Sequence, residues 1–222
     1  MLNSPNVTLD DPRGRPWDAR LARRLVAPLK DSWVTPNILT TVRLLVGLAA
    51  AAAFVPGRYA LSNLASVLLV ISNFLDHTDG ELARVSGKSS RFGHLYDLVS
   101  DAAVTVLLFV AIGLGIANGG ALILEFSPLL LGVIAGISVS LIFYLRMRIE
   151  EVLGKSATQQ ASLGGFETED VLYLFPLATI FNVLTPLLLT AAVVAPLFAL
   201  WVGVDYWRLL RRERAMSSGV TQ

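Results

Sequence analysis

Four aspartates, Asp76, Asp79, Asp97 and Asp101, lie at the ends of two apolar stretches, in the pattern Asp76-x-x-Asp79-Gly80-x-x-Ala83-Arg84, eight residues, Gly93-x-x-x-Asp97-x-x-x-Asp101. Spacings of three and four put each pair on one helix face. Two such faces brought together form an oxygen-rich cage suited to hard divalent cations such as Mg2+ or Mn2+. Two metals held ~3.5–4 Å apart by shared carboxylates can clamp a pyrophosphate and stabilise both the attacking and the leaving oxygen. A carboxylate left over could take the proton of an attacking hydroxyl. The neighbours fit the same chemistry. Gly80 removes a side chain where a phosphate must come close, Ala83 keeps that face thin, and Arg84 offers a planar cation one turn away. Gly93 allows a close helix approach or contact with a flat base.

Other ionisable positions carry competing readings. Arg43, inside the first apolar span, could reach a phosphate, or it could pair with an aspartate in the bundle interior. Lys88 and Arg91, between the acid pairs, could hold a phosphate or remain solvated interfacial charges. Gly87-Lys88-Ser89 resembles the end of a phosphate-binding loop, but Leu82 stands where that loop needs glycine. His77 and His94 read as bystanders. Gly132-x-x-x-Gly136 fits either a contact between two copies or packing within one chain.

These residues must be positioned by membrane-embedded helices. The chain has 222 residues, 54% of them hydrophobic, and a mean hydropathy of +0.62. That exceeds soluble-domain norms and specifies an all-α integral membrane protein. With no cysteine, disulfides and thiolate metal sites are excluded. Residues 1–15 read as a flexible polar arm without the apolar region of a cleavable leader. Residues 16–34, with Leu21, Leu25, Val26 and Leu29 against Arg20, Arg23, Arg24 and Lys30, read as an amphipathic helix on an anionic membrane surface.

Residues 35–210 are expected to form a six-helix membrane domain, and 211–222 a polar tail. The predicted spans are Ile38–Val55, Ala60–Leu75, Leu95–Ala117, Ser127–Tyr144, Val171–Leu188 and Thr190–Trp207. The last two form one apolar run, with a break expected near 188–190. The N-terminal region, Arg84–Arg91, Arg146–Lys155 and Arg208–Arg214 hold all but two of the 18 lysines and arginines. With six spans these segments share one side, so both termini and the acids are expected to face the cytoplasm, at a bacterial-type inner membrane.

The signature Asp-x2-Asp-Gly-x2-Ala-Arg-x8-Gly-x3-Asp-x3-Asp, with Pro36-Asn37-x-Leu39-Thr40-x-x-Arg43 ahead of it, resembles that of the CDP-alcohol phosphotransferases. The resemblance implies transfer of a phosphatidyl group from a CDP-alcohol, commonly CDP-diacylglycerol, to the hydroxyl of a small alcohol, with release of CMP, in phospholipid biosynthesis. It implies that Asp76, Asp79, Asp97 and Asp101 hold two divalent cations, with Asp101 also the general base. Gly80, Ala83, Arg84 and Gly93 would face the CDP moiety, and Asn37 and Thr40 the nucleotide. A homodimer among membrane lipids, with no nucleic-acid partner, is likewise expected from the resemblance. Within the family, a small CDP-linked alcohol passed to a lipid or polyol acceptor is the alternative.

Acceptor choice is expected to fall to residues 146–170. Arg43, Lys88, Arg146 and Glu167 are candidate acceptor or phosphate contacts, beside Arg148 and Lys155. The run Glu167-Thr168-Glu169-Asp170 sets an acidic rim that disfavours a dianion and favours an uncharged or amine-bearing alcohol, with glycerol phosphate as the fallback. The same acids equally suit a helix N-terminus. A divalent-cation transporter is the rival from another class, but its site would lie at midplane, at broken helices.

Overall fold

In the computed structural model, residues 17–120, 126–153 and 172–219 are described, with side chains from residue 20 to 211. The fold is all helical there: α1 Trp17–Val26, α2 Pro36–Phe54, α3 Tyr59–Ser86, α4 Arg91–Asn118, α5 Pro128–Leu153, α6 Phe175–Ile180 and α7 Leu184–Gly219. A 3-10 turn, Ala27–Leu29, follows α1. The sequence marks the starts of two site helices. Thr35 caps α2, accepting from the Ile38 N–H, with Pro36 at the first helical position. Ser90 caps α4 through the Gly93 N–H at 2.9 Å. Gly87 ends α3 at a φ of 65°, a conformation that costs glycine little. Four residues therefore suffice to turn α3 back into α4, and both pack against α2.

Five helices among the described residues are long and apolar enough to cross a bilayer, making this a multi-pass membrane protein: α2, α3, α4, α5 and residues 184–211 of α7. The expected count of six is corrected to five. All of the predicted fifth span but Val171 is described, and it is broken into a 3-10 turn at 172–174, the six-residue α6, too short to cross, a turn at 181–183 and the start of α7. The break also falls at 181–183 rather than 188–190. Asn182 takes a left-handed φ of 54° there, which asparagine tolerates, and Pro186 lies in the first turn of α7, where no N–H partner is needed. The described parts of the two neighbouring elements, α5 and α6, finish at different ends of the bundle. Glu151 faces His94 at one end of the bundle, whereas Ile180 accepts from the Tyr59 hydroxyl at the other.

The α-helical part of the expected surface helix, 16–34, ends at Val26, and only part of its apolar surface turns against the bundle. Ala22 and Val26 are buried where α1 packs on α3, while Leu21, Leu25 and Trp33 are exposed. The outer faces of the spanning helices stay apolar, with Leu45, Val67, Ile137, Leu197 and Trp201 exposed, as lipid contact requires. Inside, Phe54, Leu69, Leu108, Ile112 and Leu188 form the core with Phe175, whose ring meets Phe54 edge-on at 6.3 Å.

Small residues set the helix spacing. A Cβ on Gly132 would stand 2.4 Å from the Phe109 carbonyl oxygen, and one on Gly136 would stand 2.9 Å from the Val106 Cα. The Gly132/Gly136 pair is therefore spent on the α4–α5 seam within the chain. Without a hydrophobic drive inside lipid, such close backbone packing is what holds two helices together.

Candidate active site

α3 and α4 bring their acids together near the Gly87–Ser90 turn, with α2 packed against both. Ordinary helical rise puts Asp76 roughly 25 Å along α3 from Tyr59 and about 15 Å from Ser86, past the midpoint of the helix on the side of the Gly87–Ser90 turn. The helix does not stop where the apolar run stops. Backbone polar groups near lipid must be satisfied within the helix, so α3 continues through the whole signature to Ser86. Oxygens of Asp76, Asp97 and Asp101 all lie within 4.8 Å of one another, and all three residues are half-buried.

Arg43 of α2 fills the space between these acids. Its guanidinium donates to Asp76 at 2.5 Å, to Asp101 and to Asp97 at 2.9 Å. Its Nε lies 3.9 Å from Asp79 and makes no hydrogen bond. The side chain is only 5% exposed, against 45% for Asp101. Of the two readings that the sequence left open for Arg43, the ion pair is the one observed. Ser72 of α3 donates to the Arg43 carbonyl at 3.1 Å. A Cβ on Gly47, one turn on, would meet Val104 of α4 at 2.8 Å. α2 is thus drawn tightly against both acid-bearing helices.

Asp79 stands apart from the other three. It is buried and accepts from Thr40 at 2.8 Å, and Thr40 also reaches the Pro36 carbonyl at 3.2 Å. Thr40, expected at the nucleotide, donates to this aspartate. Asn37 lies against Gly93, where a Cβ would stand 2.7 Å from its Oδ1. Gly80 has nearly open space around it, the nearest atom to an added Cβ being Arg84 NH2 at 3.6 Å. Ala83 is half-buried and Arg84 exposed on the same stretch.

Several candidates are held elsewhere. Lys88 donates to the Ser32 carbonyl at 2.9 Å. Arg146 stacks over Phe198, 5.4 Å from the ring centre, and Arg148 pairs with Glu151. Lys155, Glu167 and the rest of the acidic rim lie outside the described residues. Of the two histidines, His94 sits 3.9 Å from Glu151.

One residue was missed. Glu81, inside the signature, is fully buried and pairs with Arg84 one turn on. Its i, i+3 spacing from an arginine was the available signal.

Beneath the acids a cavity of about 290 Å3 enters the bundle, with Asp76, Asp101 and Arg43 at its polar edge. Leu69, Leu108, Phe109 and Val139 are among its walls, and Asn73, whose Nδ2 is buried without a partner, also lines it. The donor set around Arg43 is wholly oxygen and carries four carboxylates against one guanidinium. Such a set fits a hard divalent cation better than a soft one.

A sequence model of the family described as CDP-alcohol phosphatidyltransferase matches residues 33–207. The chain is 33% identical over 168 residues to archaetidylinositol phosphate synthase of Pyrococcus horikoshii, covering 76% of this chain and 81% of that one. It is 30% identical over 131 residues to the enzyme of the same name from Methanothermobacter thermautotrophicus, covering 59% of this chain and 61% of the relative. It is 34% identical over 82 residues to CDP-diacylglycerol–glycerol-3-phosphate 3-phosphatidyltransferase of Cereibacter sphaeroides, covering 36% and 37%.

Proposed function

The chain belongs to the CDP-alcohol phosphatidyltransferase family, and from that premise we propose that it moves a phosphatidyl-type group from CDP-diacylglycerol or a related CDP-lipid to the hydroxyl of a phosphorylated polyol. The observation that carries this reading is the convergence of Asp76, Asp97 and Asp101 from two helices, with oxygens inside 4.8 Å.

Asp76, Asp97 and Asp101, with Asp79 beside them, are the residues that would hold divalent cations, Mg2+ or Mn2+. Bound there, the metal supplies positive charge against the diphosphate. The remaining work falls to the chain's own groups. Asp101 is the most exposed of the four acids and faces the cavity, which suits it to accept the proton of the acceptor hydroxyl. The hydroxyl oxygen bonds to the phosphorus that bears the lipid alcohol. The bond from that phosphorus to the CMP oxygen breaks, and CMP leaves with the electron pair. The open space at Gly80 and the exposed Arg84 form the face where the CDP moiety docks, with Ala83, Gly93 and Asn37 at its edge. Thr40 keeps Asp79 aimed at the cage.

A phosphorylated acceptor is supported by the names of the relatives, which specify inositol phosphate and glycerol 3-phosphate. Arg146 and Arg148, near the end of α5, are cations on the cage side of the bundle. The clustering of lysine and arginine at that end supports a cytoplasmic orientation. A second reading, an uncharged or amine-bearing alcohol, is favoured by the acids at 167, 169 and 170.

Purified protein given CDP-diacylglycerol, Mg2+ and a panel of alcohols separates the two. The proposal expects lipid product with inositol phosphate or glycerol 3-phosphate at least tenfold above their unphosphorylated counterparts. Turnover confined to unphosphorylated alcohols would favour the acidic rim.

A further inference from the structure

The position of Arg43 implies more than a structural ion pair. Its two terminal nitrogens contact the carboxylates of Asp76, Asp97 and Asp101, the three residues whose oxygens also form the candidate metal group. The guanidinium and a divalent cation would therefore draw on the same ligand oxygens. A carboxylate oxygen directed along a guanidinium N–H is in use, and a metal approaching it must displace or tilt that bond.

Neighbouring contacts hold the arginine backbone in place, while its tip is held by the acids and the Asp97 carbonyl. The Arg43 carbonyl is fixed by Ser72, and the helix is wedged by Gly47 against Val104. The side chain itself is anchored only through these groups, since Nε has no hydrogen-bond partner. On one side of the group lies the cavity edged by Asp76 and Asp101, into which a long side chain can shift.

Resting on the metal reading above, we propose that Arg43 is a resident counter-cation of the acid cage that competes with the divalent cation for its ligands. It keeps the mutually repelling carboxylates of α3 and α4 together until metal enters. It then yields those oxygens while keeping its charge within the site. Arg43 is thus a positioning residue acting through the aspartates.

The test is Mn2+ binding, followed by electron paramagnetic resonance, to the full-length protein and to two variants. Arg43→Gln removes both the charge and the fork, and should bind Mn2+ at least tenfold more tightly than the natural protein. Arg43→Lys keeps the charge but reaches fewer oxygens from a single ammonium, and should fall between the two. Simple charge repulsion would leave Arg43→Lys equal to the natural protein, and that result overturns the proposal.

A third arm needs no substitution. Mn2+ should speed modification of Arg43 by a dicarbonyl reagent, read by mass spectrometry, because the metal releases the guanidinium. Unchanged or slowed modification contradicts the competition. Failure of any of the three proteins to bind Mn2+ would instead remove the metal reading on which it rests.

Discussion

Arg43 and Asp101 are 58 residues apart, on α2 and α4, and the Arg43 guanidinium donates directly to the Asp101 carboxylate. The same nitrogen reaches Asp76 on α3 at 2.5 Å. One buried cation thus ties three helices at the level where the chemistry is assigned. Removing one partner of a buried ion pair costs about 3–5 kcal/mol, because the others are left uncompensated. The aspartates here are half-exposed, so the cost for this cage lies toward the lower end. The site and the helix packing around it are therefore one structure.

Asp101→Asn keeps the shape of the side chain and its capacity to accept from Arg43, but it cannot take a proton at neutral pH. The expected loss in CMP release is about 10^2- to 10^4-fold, with helical circular dichroism unchanged. Activity within threefold of the natural protein would assign the base to another group.

Thr40→Val removes the hydroxyl that donates to buried Asp79. Leaving that carboxylate without its donor should cost about 1–3 kcal/mol, read as a lower unfolding midpoint in detergent. Thr40→Ser restores the donor and should recover most of the loss. Equal midpoints for the valine and serine variants would show that the hydroxyl bond contributes nothing.

Gly136→Val tests the α4–α5 seam. A side chain there runs into the Val106 backbone, and backbone cannot step aside as a flexible side chain can. The variant should lose helix packing, with a large fall in unfolding midpoint or failure to fold. A folded variant whose only change is a smaller oligomer on size-exclusion chromatography would return this glycine to a contact between copies.

Gly93→Ala places a methyl group 2.7 Å from Asn37 Oδ1. The expected result is a raised KM for the CDP-lipid, because Asn37 must move from the edge of the docking face. Asn37→Ser in the same protein shortens the side chain but keeps a polar group at that edge, and should relieve it. If the double variant is no better than Gly93→Ala alone, the clash with Asn37 is not the cause.

Much of this was readable from local pattern. Apolar windows located α2, α4 and the start of α5 within a few residues, because the length of hydrocarbon to be crossed fixes them, while α5 runs nine residues past the expected Tyr144. The end of α3 was not readable that way. Hydropathy falls at Leu75 while the helix runs on to Ser86, since hydropathy reports the surroundings and not the backbone. The turn at Asn182 was hidden for a related reason. A left-handed residue inside an apolar run leaves no mark on hydropathy, and Pro186 and Pro196 drew the expected break too far along.

The pairing of acids within each helix followed from spacing, so the carboxylate cluster itself was legible. An aspartate partner for Arg43 was one of two sequence readings, but that it would meet three acids at once was not legible, because it reaches them across helix contacts that no periodicity encodes. Glu81 was overlooked because the signature's fixed positions drew attention from the gap between them.

The central claim is metal-dependent transfer from a CDP-alcohol, and the direct measurement is product stoichiometry. Purified protein is incubated with CDP-diacylglycerol, acceptor and Mg2+ or Mn2+, and CMP and new phospholipid are quantified together. One CMP per phospholipid, abolished by a chelator and restored by metal, is the predicted result. Absence of CMP with every acceptor, alongside divalent-cation uptake by the same protein in liposomes, would contradict it.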